Sequence, residues 1–297
     1  MTPQISCPDS TISETPRDRR VCFLVRFPAS ISTASTQNMT DQVISNPTAG
    51  PADALNVTAQ IVHDYLATLR FIVSDTSRDP TFNATHLLSY VSQDLIESAA
   101  AIVFLARSGS LSVPKRELRF IIESSVKLCY VQQKNYQSSI EDKLKQFDKQ
   151  LSSSSISIKR DLKLWMIPAH LHDDFDEELG RLYGKSSSYV HLTPHQIGQR
   201  ITAVDSGCTI GFESTAEVEE LNILVSQGFA ASLVLLLHSV SEYVTGDWLV
   251  DSDGSTIDSY FLKSRFVAAM DGYFDYKAER QAQLGAIQSI RAAGIRF

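Results

Sequence analysis

The run LNILVSQGFAASLVLLLHSV, residues 221–240, decides the fold class. It contains no charged residue, and about 20 apolar residues suffice to cross a bilayer. Yet Asn222, Ser226, Gln227, Gly228, Ser232, His238 and Ser239 interrupt it. A helix that is apolar nearly all round, with small polar groups scattered over it, suits the centre of a soluble helical bundle. This reading makes the chain all-α, with the other helices packed around one buried member. It is preferred to a membrane-associated effector built on residues 221–250, and no membrane partner is expected.

Outward from that run, helical spacing recurs along the chain. Leu55, Ile61, Val62, Tyr65, Leu66, Leu69, Ile72 and Val73 mark a helix beginning near Ala52 and ending at the breaker DTSRDP, residues 75–80. Leu87, Leu88, Val91, Leu95, Ile96, Ala99, Ile102, Val103 and Ala106 mark a second, from about Thr81 to Arg107, stopped at Gly109. A third opens with Ser112 as N-cap and Pro114 in its first turn. Residues 138–151 read as an exposed amphipathic helix, and Lys159, Arg160 and Lys163 make the next stretch the most basic of the body. A helix starts at Leu171, with Asp173 or Asp174 to cap it, and a short one follows Thr193-Pro194. The apolar run itself is expected to continue toward Val250, and two amphipathic helices, about 259–274 and 275–293, close the chain. The fold predicted is an antiparallel helical bundle over 51–250, with a C-terminal helical extension over 251–297 and a poorly structured N-terminal arm over 1–50. Within the arm, Val21–Phe27 is the one strand-like run. Arg17, Arg19, Arg20 and Arg26 read as a solvated cluster, with a phosphate-contacting arm as the sharper alternative.

Composition sets limits. Of 297 residues, 43% are hydrophobic and 21% charged, enough to bury a sizeable core. The net charge of -7 gives no global attraction to nucleic acid, so any such contact must come from a local patch. Four scattered cysteines without a CxxC pair fit a reducing cytoplasm rather than a disulfide framework. No secretory signal is visible. There is no phosphate loop, no dinucleotide glycine pattern and no nucleophile elbow, so no cofactor is implied. Asp251-Ser-Asp-Gly-Ser255 lacks the spaced ligands of a calcium loop and reads as a turn.

Candidate chemistry gathers in RLYGKSSSYVHLTPH, residues 181–195. His191 and His195 stand four apart, and with His170 and His172 they form a conceivable metal set. Pro194 works against the unbroken helix which that spacing requires, and no HExxH is present, so no metal is expected.

Two stretches carry a family likeness. LARSGSLSVPKRELRFIIE, residues 105–123, is similar to the helix, glycine turn and Arg-x3-Glu helix of HEPN-superfamily proteins, with Arg119 and Glu123 as the pair. LYGKSSSYVH, residues 182–191, resembles the helix end that closes on that superfamily's histidine. The resemblance implies a dimerising helical bundle. It also implies a metal-independent endoribonuclease of a defence or toxin system, with RNA as substrate and an antitoxin or defence-system protein as partner. His191 is the base in that reading. The matching cation is Lys185 rather than arginine; Arg181 lies one turn further back, and Ser186 is the polar residue after the cation. Lysine supplies charge without the planar bidentate fork. The alternative is a non-catalytic dimerisation or interaction module, in which Tyr189 packs on the bundle and His191 bonds a backbone carbonyl or Glu123.

Overall fold

A computed structural model describes residues 49–297, apart from 152–154, 192, 206, 208–212 and 252–253. The N-terminal arm, its strand-like run and its arginine cluster lie outside the described residues. Among the described residues the chain is all-α, with no strand beyond one isolated bridge between Val250 and Thr256. The helices are α1 (Ala49–Thr76), α2 (Phe82–Thr85), α3 (Leu88–Arg107), α4 (Ser112–Lys134), α5 (Ile140–Leu151), α6 (His172–Ser187), α7 (Pro194–Asp205), α8 (Thr215–Leu237), α9 (Glu242–Trp248), α10 (Arg265–Gly272) and α11 (Leu284–Gly294).

α8 is the helix around which the others pack. Residues 228–240 are buried without exception. Full burial of each Leu, Val or Phe contributes roughly 1.5–3 kcal/mol, and α8 supplies more of the core than any other described helix. α8 opens with a capping box in which Ser214 accepts from the Glu217 N–H and Glu217 reaches back to Ser214. It ends at His238 instead of continuing to Val250, and the separate α9 follows.

The polar residues that interrupt the run fix its register. Asn222 donates to the Ala54 carbonyl at 2.7 Å and accepts from the Thr58 hydroxyl at 2.5 Å. Ser232 meets the Tyr65 hydroxyl at 3.0 Å and Ser125 at 2.7 Å. Burial pushes the Tyr65 phenol well above its ordinary range. Each of these groups is paired because an unpaired one inside the bundle costs about 1–3 kcal/mol.

These contacts also set directions. Thr58 lies opposite Asn222 and Tyr65 opposite Ser232, so α1 runs alongside α8 in the same sense. Leu118 lies against Gly228 and Ser125 against Ser232, so α4 does so too. The four-residue turn after Arg107 reverses α3 against α4, and Gly109 takes the left-handed backbone, φ 74°, that this turn needs. α6 also runs opposite to α4, since Arg119 meets Ser187 while Arg116 meets the later Tyr189.

Several boundaries differ from the sequence reading for local reasons. α1 starts at Ala49, with Pro51 in its first turn, where a missing N–H costs nothing. The expected helix from Thr81 breaks at His86, whose extended backbone separates α2 from α3. Ser112 is inside α4 and does not cap it. The C-terminal region breaks into α10, α11 and 3₁₀ turns at 260–263, 273–276 and 278–283. Among the described residues, two helices are long and apolar enough to cross a bilayer by length and composition: α8, with 83% of its apolar window buried in the bundle, and α3, with 33%.

Candidate functional site

α6 continues through Gly184 to Ser187, so Arg181 and Lys185 stand one turn apart on an unbroken helix. Asp173 and Asp174 occupy its first turn, where they favour the helix dipole, but Leu171 rather than either acid is at the N-cap. A turn then carries Tyr189 and His191 away from the helix before α7 begins. Thr193 accepts from the Gln196 N–H at 3.2 Å, as an N-cap should. The break at Thr193-Pro194 means that His191 is not on a helix with His195.

The seam between α4 and this segment is polar and closely tied. Arg119 donates from Nε to Ser187 at 3.0 Å and from Nη2 to the Tyr183 hydroxyl at 2.9 Å, and it pairs with Glu123 at 3.3 Å. Glu123 also accepts from Lys127 at 2.6 Å. The Arg119–Glu123 pair is therefore half-buried and links two helices, instead of lying free on the surface. Tyr189 is buried, with its ring under the Lys115 ammonium at 4.5 Å and its hydroxyl accepting from that group at 3.1 Å. Its hydroxyl donates to Gln199 of α7 at 3.3 Å, and its carbonyl accepts from Arg116 Nε at 2.5 Å.

The residues proposed for chemistry separate into two groups. Arg181 is engaged: it grips Glu178 at 3.0 and 2.6 Å and donates to Gln227 of α8 at 2.8 Å. Ser186 is fully buried and donates to the carbonyls of Leu182 and Tyr183, one turn back on its own helix. Its hydroxyl is thus turned into the helix and away from any exposed reactant. Lys185 and His191 are both exposed, and no described residue bonds either side chain. His191 is not bonded to Glu123, whose oxygens are taken by Arg119 and Lys127. Of the histidines in the conceivable metal set, His172 turns inward, its Nε2 at 3.1 and 2.9 Å from the carbonyl oxygens of Leu164 and Ile167. Among the described residues no three His, Cys, Asp or Glu side chains converge.

Sequence reasoning overlooked Lys115 and Arg116. The run Lys115-Arg-Glu-Leu-Arg119 places three cations at positions i, i+1 and i+4 of α4, which was legible as a cationic stripe. Arg116 spends only Nε on Tyr189, so its guanidinium tip faces solvent beside the α6 terminus. Around the α4–α6 seam, Arg116 is therefore only partly spent, and Lys185 and His191 are exposed without a bonded partner among the described residues. These groups are chemically suited to phosphate contact, with one imidazole free for proton transfer. Compared with known protein families, curated proteins and solved structures, the chain finds no match.

Proposed function

We propose that this is an RNA-directed, HEPN-like helical protein of the cytoplasm, acting as a metal-independent endoribonuclease of a defence or toxin system. The observation that supports it is selective: of the polar groups in residues 181–191, Lys185 and His191 are left exposed and unengaged while Arg181 and Ser186 serve the fold. His191 takes the proton of a ribose 2′-hydroxyl as that oxygen bonds to phosphorus. The P–O5′ bond breaks, and the leaving oxygen takes a proton from water. Lys185, with the Arg116 tip, offsets the charge on the phosphate. In this reading two copies associate, and an antitoxin or defence-system protein controls the activity.

Incubation with RNA in EDTA tests this. Cleavage is expected to persist without divalent metal and to fall at least ~100-fold in His191→Ala. Arg181→Ala, which removes a structural tie, is expected to lower thermal stability more than the cleavage rate of the folded protein. RNA left intact by the wild type overturns the ribonuclease reading.

A second reading, the non-catalytic interaction module, is favoured by α7. Ile197, Ile201 and Val204 lie along one face of that helix at i, i+4 and i+7, and they are 43%, 56% and 71% exposed. If association through α7 is the function, the wild type sediments as a dimer without cleaving RNA. Ile201→Glu then sediments as a monomer.

A further inference from the structure

The C-terminal end of α8 holds two buried histidines that the RNA-directed reading does not use. His238 is 1% exposed. Its Nδ1 lies 2.7 Å from the Val234 carbonyl oxygen, and its Nε2 accepts from the Met166 N–H at 3.2 Å. His86 repeats the arrangement beside it: Nδ1 accepts from the Leu88 N–H at 3.1 Å, and Nε2 lies 3.0 Å from the Ser239 carbonyl oxygen. An N–H donor on one side and a carbonyl on the other assign the tautomer: each ring keeps one nitrogen bare. A second proton would set two donors against each other.

The part held by His238 leads to the candidate site. Met166 and Ile167 are buried at the α8 end, and Gln133 bonds both the N–H and the carbonyl of Lys163, each at 2.9 Å, and the His238 carbonyl at 3.1 Å. His172, the first residue of α6, closes on the carbonyls of Leu164 and Ile167. The connector 163–171 is therefore clipped to α8 at one end and feeds α6 at the other.

We propose that His238 and His86 form an acid-sensitive latch: protonation turns an acceptor into a donor opposite the Met166 and Leu88 N–H groups, releasing the 163–171 connector at Met166 and the start of α3 at Leu88, and frees α6 to shift against α4 and α8. The latch is independent of what α6 acts on. The charged groups facing the two rings act in both directions. His172 of α6 acts unfavourably on a charged His238. Lys143 of α5, seated on the Thr85 and Tyr136 carbonyls, acts unfavourably on a charged His86, and Asp79 acts favourably. Burial holds both rings at about 4, below the ordinary 6.5. Open or unfolded forms therefore bind protons from pH 6.5 downward that the closed form refuses. Stability of the closed form is full above pH 6.5 and is lost as pH falls toward 4.

Trp165 reports on the latch, because its ring lies edge-on to His238 with centroids 5.1 Å apart. The chain has two tryptophans, so Trp248→Phe leaves this one as the sole tryptophan, excited selectively over the tyrosines at the red edge of absorption. In that full-length variant, Trp165 fluorescence is expected to change with a midpoint between pH 4 and 6.5, ahead of helix loss by circular dichroism. His238→Gln is expected to shift or abolish that transition. Hydrogen exchange on the unaltered chain gives a test that needs no variant. Corrected for intrinsic rates, the Met166 and Leu88 amides are expected to lose at least ~10-fold protection between pH 7 and 5, while amides inside α8 lose less. An unchanged Trp165 signal down to pH 4, the same midpoint in His238→Gln, or uniform exchange at all these amides overturns the latch.

Discussion

Replacing Arg280 by alanine is expected to lower the free energy of unfolding by about 3–5 kcal/mol, the scale for breaking a buried ion network at one partner. Arg280 is 1% exposed and donates from Nη2 to Asp271 at 2.7 Å and from Nη1 to the Asp271 carbonyl at 3.3 Å. Asp271 is equally buried and also accepts from Arg291 Nε at 2.8 Å. Arg291 continues to Asp275 at 2.7 and 3.0 Å. Burial works against a charged Asp275, yet hydrogen bonds from Arg291 and Gln288 keep it below the usual carboxylate range. Two arginines and two aspartates balance, so Arg280→Ala leaves Asp271 buried with half its compensation gone. The network joins α10, the 278–283 turn and α11, and its loss should loosen the whole C-terminal region. Denaturant unfolding measures the cost. Asp271→Leu combined with Arg280→Met, which removes both charges, is expected to recover most of it. A double variant as unstable as the sum of its single changes would falsify the ion-pair account.

Phe229→Ala is expected to cost a similar ~3–5 kcal/mol, through the cavity it leaves. Phe229 is fully buried in α8, and its ring stacks on Tyr65 of α1 with centroids 4.0 Å apart and planes 20° from parallel. Its neighbour Gly228 lets Leu118 of α4 approach so closely that an added Cβ would lie 2.6 Å from that side chain. The three helices are thus too closely packed at this level to collapse into the space. The internal comparison is Phe104→Ala: that ring is 72% exposed on α3, and the change is expected to stay within ~0.5 kcal/mol. Equal losses at the two positions would show that burial does not set the cost.

The candidate site was legible only in part. His191, Lys185, Arg181 and Ser186 came from the resemblance to the HEPN-superfamily motif, and a motif match treats them alike. Tertiary contacts distinguish them: Arg181 reaches Gln227, 46 residues away, and Ser186 turns back into its own helix. The Arg119–Glu123 pair was visible as an i, i+4 motif, while its partners Tyr183 and Ser187 come from another helix. The histidine latch was invisible, because His86 and Ser239 meet across 153 residues.

By itself the sequence determined that this protein is all-α, with its apolar run 221–240 expected at the centre of a bundle and not in a bilayer. Periodicity and capping are local properties, so they survive without a structure. The tertiary structure alone decided that α8 runs alongside α1 and α4 in the same direction, where that run stops, and which basic groups remain unspent. Those outcomes depend on pairings between distant segments, and the hydrogen bonds that satisfy buried polar atoms are settled only when the helices meet.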